Sequence, residues 1–170
     1  FANPRLARSL ETIAGEGRDA FYAGSIARAI VADMKSRNGL LDLRDFADHK
    51  ADWVDAISTN YRGYDVLEMP PSTQGFVALE MLNIMEGFDV KALGHNSAQY
   101  LHLLSESIKL GRADRWNYVA DPPFVSVPTD KLLSKDYAAK QRARINPDKA
   151  LDITQLSVGT SQGDEETTHL

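Results

Sequence analysis

Apolar residues recur at helical spacing over most of the chain. In "NPRLARSLETIAGEG", Leu6, Leu10 and Ile13 fall on one face at spacings of four and three. Asn3 stands where a cap belongs, Pro4 suits the first helical position, and Gly15 and Gly17 end the run. "GSIARAIVADMKSRNG" predicts a second helix, with Ser25 as cap, a stripe of Ile26, Ile30, Val31 and Met34, and a left-handed exit at Asn38-Gly39. "LDLRDFADHK" predicts a short third helix capped by Asp42. The period then changes. "WVDAISTNYRGYDVLEMPP" is rich in β-branched and aromatic residues and predicts two strands, about 53–60 and 63–69, with a turn at Asn60–Gly63. Pro70-Pro71 ends the second, because neither can donate to a ladder.

"STQGFVALEMLNIMEGFD" predicts a helix capped by Ser72 or Thr73 and apolar around nearly its whole circumference, so it wants cover on most sides. A long helix starts near Asn96 with Tyr100, Leu103, Leu104 and Ile108 inward and Lys109, Arg112 and Arg115 outward. "DPPFVSVP" breaks the pattern and a helix restarts at Thr129. From Asn146 the pattern fades, and residues 157–166 read as a polar, acidic, flexible tail. The fold class from pattern is α+β: helix-rich with one small β pair.

Composition narrows the chemistry. The 170 residues suffice for one domain or a large piece of one, and the net charge of −5, with both signs mixed, argues against a nucleic-acid partner. No apolar run approaches the roughly 18 residues of a membrane span. With no cysteine, disulfides, thiol catalysis and zinc–thiolate sites are excluded. His49, His95, His102 and His169 are scattered, with no pair at metal-ligand spacing beside a carboxylate, so no metal and no cofactor are expected. "PPSTQG" reads as a helix start, since it lacks the lysine and the glycines of a phosphate loop. Asp114, between Arg112 and Arg115, reads as part of a surface ion-pair cluster, and "GDEE" as a solvated acidic stretch.

Thr167-Thr168-His169 remains. A threonine nucleophile needs a base, and a threonine at a chain's N-terminus carries one in its own amine, whose pKa near 7.7–8.0 leaves a good fraction neutral. Inside a chain that nitrogen is an amide. Such a residue works only after a cut immediately before it, and the acidic, unpatterned lead-in suits a cut site. Both ends of the chain, which opens on Phe1, are read as cuts in a longer one.

In this order the segments resemble the gamma-glutamyltransferase (gamma-glutamyltranspeptidase) family of N-terminal nucleophile hydrolases. "FYAGSIA" is similar to its "FY-x-G-x-IA" element and "GLLDLRDFADHKADW" to "GL-x-x-x-DL-x-x-Y". "YRGYDVLEMPPSTQGFVALEMLNIMEGFD" resembles "YRGY-x-x-x-x-PPP-x-x-G…LNILEGFD", and "ESIKLGRADRWNYVADPPFVSVP" resembles "E-x-x-K-x-A-x-ADR…Y-x-x-DP-x-F-x-x-VP". "TTHL" resembles the family's "TTH" plus an aromatic or aliphatic residue. Five ordered matches outweigh any lone motif.

The resemblance implies that residues 1–166 are the carboxyl-terminal part of a large subunit and 167–170 the start of a small one. It implies a helix-rich fragment of a four-layer α/β/β/α sandwich, with residues 1–156 supplying outer helices and part of the sheet. Thr167 is then the catalytic nucleophile, freed by self-cleavage of the Glu166–Thr167 bond, and the reaction is γ-glutamyl transfer or hydrolysis on glutathione-type donors. Thr168 and His169 support the turn. The substrate arginine lies upstream and the oxyanion hole and amine-binding acid downstream in the family, so the fragment alone is expected to be inactive. Its partners are the remainder of its own precursor and a γ-glutamyl substrate, and export to the periplasm or beyond is expected. Ser72 in place of a third proline, and Leu170 in place of an aromatic, lean toward a branch of the family some of whose members are cephalosporin or glutaryl-amide acylases. A reading of another class takes Leu170 as a true C-terminus: Thr168-His169-Leu170 then fits a tail captured by PDZ-type domains, on a helical interaction module.

Overall fold

Asn3 caps the first helix as its position predicts: its Oδ1 accepts the Leu6 N–H at 3.1 Å, and Pro4 opens α1 (Pro4–Glu16). The computed structural model describes residues 2–156; Phe1 and residues 157–170 lie outside the described residues. The chain divides after Trp53 into two compact units, Phe1–Trp53 and Val54–Leu170.

In the first unit α1 is followed by α2 (Arg18–Tyr22), α3 (Ser25–Ser36) and α4 (Leu43–Asp48). The pattern misses α2, whose five residues are too few to show a period. Ser25 is inside α3 rather than its cap; Gly24 holds the cap position without a side-chain bond. Asn38 takes the left-handed conformation (φ 57°) and the Gly39 N–H closes on the Met34 carbonyl at 2.7 Å, as the Asn-Gly pair predicts. Asp42 and Asp45 form a reciprocal capping box. Ala20, Ala27 and Val31 are the buried side chains, while Leu6 and Leu10 of the predicted α1 stripe stay 53% and 56% exposed. Arg18 donates to the His49 carbonyl and lies over the Tyr22 ring, against which His49 stacks at 5.2 Å. His49 is thus a packing residue.

The second unit begins with an antiparallel hairpin, β1 (Ile57–Tyr61) and β2 (Tyr64–Glu68), in the register Ile57↔Glu68 to Tyr61↔Tyr64. The strands are shorter than predicted. Arg62 (φ 53°) and Gly63 (φ 91°) make the two-residue turn, whose positive φ at both positions matches the twist of the flanking strands. Asn60 completes it by accepting the Gly63 N–H at 3.0 Å.

Then come α5 (Gly75–Glu86), α6 (Val90–Leu93), α7 (Ala98–Tyr118), α8 (Thr129–Leu132) and α9 (Lys135–Arg142), and a 3-10 turn at Ile153–Gln155. Gln74, not Ser72 or Thr73, holds the N-cap position of α5. Thr73 Oγ1 instead donates to the Met69 and Pro70 carbonyls. α7 starts where predicted, with Ser97 accepting the Tyr100 N–H. The single helix predicted from Thr129 is two, because Ser134 breaks in as the cap of α9. The apolar circumference of α5 does find cover: α7 and α9 pack on it, and β1 and β2 lie against it. Ile84, Leu110, Ala138 and Leu156 form the centre of this core, each worth about 1.5–3 kcal/mol of apolar burial for the larger side chains.

Candidate functional site

Thr167, the residue the resemblance implies as nucleophile, lies outside the described residues with Glu166, Thr168, His169 and Leu170, as do the acidic stretch and the three residues read as a PDZ-type tail. The described residues contribute three polar clusters in the second unit, each built on the helices around α5.

The first joins α5, α7 and α9. Asp114 is only 5% exposed and is not in a surface ion-pair cluster. Its Oδ2 accepts the Tyr137 hydroxyl at 2.8 Å and the Gln141 amide at 2.6 Å, and neither Arg112 nor Arg115 pairs with it among the described ion pairs. Glu80 stands beside it at 0% exposure, and no N–H or O–H of another group reaches either of its carboxyl oxygens. Two buried carboxyls can lie together only if one holds a proton. Burial first, and then the Asp114 carboxyl, push Glu80 up to about 10, so it is the proton holder. Burial, and then the Asp114 charge, likewise raise Tyr137 above its ordinary value. Gly111 lets α7 approach α5 closely: a Cβ there would come within 3.1 Å of Val77 Cγ1.

The second cluster ties the hairpin to α5 and α9. Asn83 is buried, donates to the Leu133 carbonyl at 2.9 Å, and accepts from Thr59 Oγ1 at 2.7 Å and Lys135 Nζ at 2.6 Å. Lys135 also donates to Glu86 at 2.7 Å and to the Asn60 carbonyl. Glu86 takes the Arg62 N–H at 2.9 Å. The Lys135 bond, and after it the Arg62 N–H, hold the Glu86 carboxyl below its usual range. Asn83, Glu86, Gly87, Lys135 and Arg142 line an open cleft of about 240 Å³. Its groups bond to one another, and it contains no hydroxyl or thiol placed against a base. Lys135→Met is expected to cost about 1 kcal/mol, since the cation is half-exposed. The Glu86 part of that loss is present above its unfolded value of 4.5 and disappears as pH falls through its lower folded value. Thermal unfolding of both proteins at pH 7 and pH 3 checks this: the difference narrows in acid.

The third cluster sits about two turns nearer the N-terminus of α7. Glu106, buried, accepts Lys109 Nζ at 2.6 Å and the Leu151 N–H at 2.7 Å. Burial alone would raise its pKa, but the Lys109 and Leu151 bonds win and lower it. Lys109 is therefore half-buried and paired, not one of an outward row. Arg115 is half-buried too, with its Nε unbonded. His102 Nε2 meets the Asn146 carbonyl at 2.8 Å, and His95 is exposed. Among the described residues no group of three or more acidic or histidine side chains could hold a metal, and no helix is long and apolar enough to cross a membrane.

The three clusters thus form a hydrogen-bonded frame, and the segments that build it are those of the resemblance: Glu106 and Lys109 from "ESIK", Asp114 from "RADR", and Asn83 and Glu86 from "LNIMEGFD". Sequence similarity extends over the same span. The Glutathione hydrolase proenzyme of Pseudomonas sp. (strain A14) is 41% identical over 166 residues, covering 96% of this chain and 29% of the relative. The Acylase ACY 1 proenzyme of Pseudomonas sp. (strain SE83) gives the same 41% identity, 96% and 29% coverage. The crystal structure of Helicobacter pylori gamma-glutamyltranspeptidase superposes with a TM-score of 0.80 at 36% identity, over 99% of this chain and 48% of that one. These relatives are named as a glutathione hydrolase, an acylase and a transpeptidase, and the chain spans about three-tenths of the length of the curated two. The model of the Gamma-glutamyltranspeptidase family matches residues 1–170, and the chain belongs to that family.

Proposed function

We propose that the chain is the junction of a threonine-dependent γ-glutamyl transferase or hydrolase precursor, residues 1–166 ending the large subunit and residues 167–170 opening the small one. The observation that carries this is the unbroken family match through residue 170, which takes in the "TTH" segment. The relatives' names as proenzymes support a chain that is cut to become active.

In this reading the Thr167 hydroxyl adds to the Glu166 carbonyl and the C–N bond breaks. The threonine nitrogen takes the proton, and an ester joins Glu166 to Oγ1. Water hydrolyses the ester, leaving a Glu166 carboxylate and a free Thr167 amine. That amine then accepts the hydroxyl proton as Oγ1 attacks the γ-glutamyl amide of a glutathione-type donor. The leaving amine departs with a proton, and water or an acceptor amine releases the acyl group. The β-methyl restricts χ1 and keeps the hydroxyl in line. Groups for the substrate carboxylate and the oxyanion come from the rest of the precursor, so residues 1–170 alone are inactive. The described helices belong to the outer layers of a four-layer sandwich and the hairpin to part of its sheet, and the precursor is exported to the periplasm or the exterior.

A second reading has one specific support, the equal identity to an acylase proenzyme, along with Ser72 and Leu170. The two substrates differ by one α-amino group. Steady-state rates of the processed full-length enzyme on a γ-glutamyl anilide and its glutaryl counterpart separate them. We expect kcat/KM to favour the γ-glutamyl compound by at least about tenfold, one charged hydrogen bond's worth. A ratio favouring the glutaryl compound assigns the enzyme to the acylases.

A further inference from the structure

Glu106 and Lys109 grip one residue of the chain from both sides. Glu106 accepts the Leu151 N–H at 2.7 Å, and Lys109 donates to the Leu151 carbonyl at 3.3 Å. Five residues upstream, His102 meets the Asn146 carbonyl at 2.8 Å. Five residues downstream, Leu156 is buried against Ile84 and Leu110. The strand of chain from 146 to 156 is thereby laid along α7 in one register.

An ion pair with a buried carboxylate is a poor way to gain stability, since desolvating the charge cancels much of the attraction. What it does well is select one arrangement, because a displaced partner leaves the buried charge unsatisfied. Apolar contacts such as that of Leu156 tolerate a slip of one residue far better. The pair is therefore suited to fixing where the chain leaves the helical core, and Thr167 follows Leu156 by only eleven positions.

We infer that Glu106 and Lys109 are positioning residues for self-cleavage: they set the register from which the Glu166–Thr167 bond is delivered. This rests on the threonine reading above. Releasing Leu151 moves the last hydrogen-bonded anchor back to Asn146, which lengthens the chain from that anchor to Glu166 from 15 to 20 residues. Closing a tether one-third longer is about 1.5-fold less probable, and the loss of a single register adds to that.

The test follows cleavage of pulse-labelled full-length precursor made by cell-free translation, with melting temperatures measured alongside. Glu106→Ala is expected to slow cleavage by at least about 1.5-fold. Glu106→Gln, which retains an oxygen for the Leu151 N–H, recovers most of the rate. Ile84→Val, which loosens the same core without touching the grip, lowers the melting temperature and leaves the cleavage rate at the wild-type value. Should Glu106→Ala fail to fold, His102→Ala and Lys109→Met each slow cleavage. Wild-type rates in the grip variants, or equal slowing in Ile84→Val, overturn the inference while leaving Thr167 in place. An uncleaved wild-type precursor overturns the threonine reading, and the inference with it.

Discussion

Thr167→Ala in the full-length precursor is expected to remain a single polypeptide and to lose at least about a thousandfold in γ-glutamyl transfer. Removing a covalent nucleophile leaves only binding and electrostatic assistance, which in other hydrolases sustains a small residue of the rate. The loss has two causes here, because the same hydroxyl opens the Glu166–Thr167 bond and later attacks the substrate. Thr167→Ser distinguishes them from a mere change of shape. Serine keeps the hydroxyl and the future amine, and gives up only the methyl group that narrows χ1. It should therefore cleave and turn over, more slowly than threonine by about an order of magnitude or less. Gel analysis of the purified variants followed by an anilide assay checks both. A fully processed Thr167→Ala protein removes this residue from the mechanism.

Glu80→Gln is expected to stabilise the protein at neutral and alkaline pH and not in acid. In the folded state Glu80 keeps its proton up to about 10, against an ordinary value of 4.5, because it is buried beside Asp114. A raised carboxyl contributes stability that is fully present below the unfolded value. The contribution drains away as pH climbs toward the folded value, since the unfolded chain gains by ionising and the folded chain does not. At pH 7 the accumulated loss is on the order of 3 kcal/mol. Glutamine never ionises, fills the same space, and supplies an N–H for the Asp114 carboxylate. The melting temperature of Glu80→Gln relative to wild type should therefore be near zero or slightly negative at pH 4 and positive by several degrees at pH 8. An equal offset at both pH values means that Glu80 is ionised in the folded state.

Glu80 and Asp114 also show where the sequence was legible and where it was not. Some caps and turns were legible, because they depend on one or two residues: Asn3, Asp42, Asn38 and Gly63 behave as their local chemistry requires, whereas Ser25 and Ser72 or Thr73 do not hold the cap positions expected of them. The two α5 and α7 cores were legible as apolar stripes. Their polar members were not. Asp114 is flanked in sequence by two arginines, and adjacency suggested a surface cluster. On a helix, neighbours in sequence point to different faces. The buried face of α7 runs through Leu103, Glu106, Ser107, Leu110, Gly111 and Asp114, at spacings of three, one, three, one and three. The same stepping on α5 carries Phe76, Leu79, Glu80 and Asn83 inward. Reading the stripe by position rather than by polarity would have found every buried polar group on these two helices. The break between α8 and α9 could not be read from period, because apolar spacing runs through it and Ser134 alone marks the new start. The proposed nucleophile Thr167 has a different basis, a four-residue segment with no pattern of its own, singled out through resemblance and through the need for a free amine.

The central claim is tested most directly by the intact masses of the polypeptides in active, full-length enzyme. We expect two chains, the smaller with Thr167 as its first residue and an unblocked amine, the larger ending at Glu166. Active enzyme in which residues 166 and 167 remain joined, or in which the smaller chain begins elsewhere, contradicts the account.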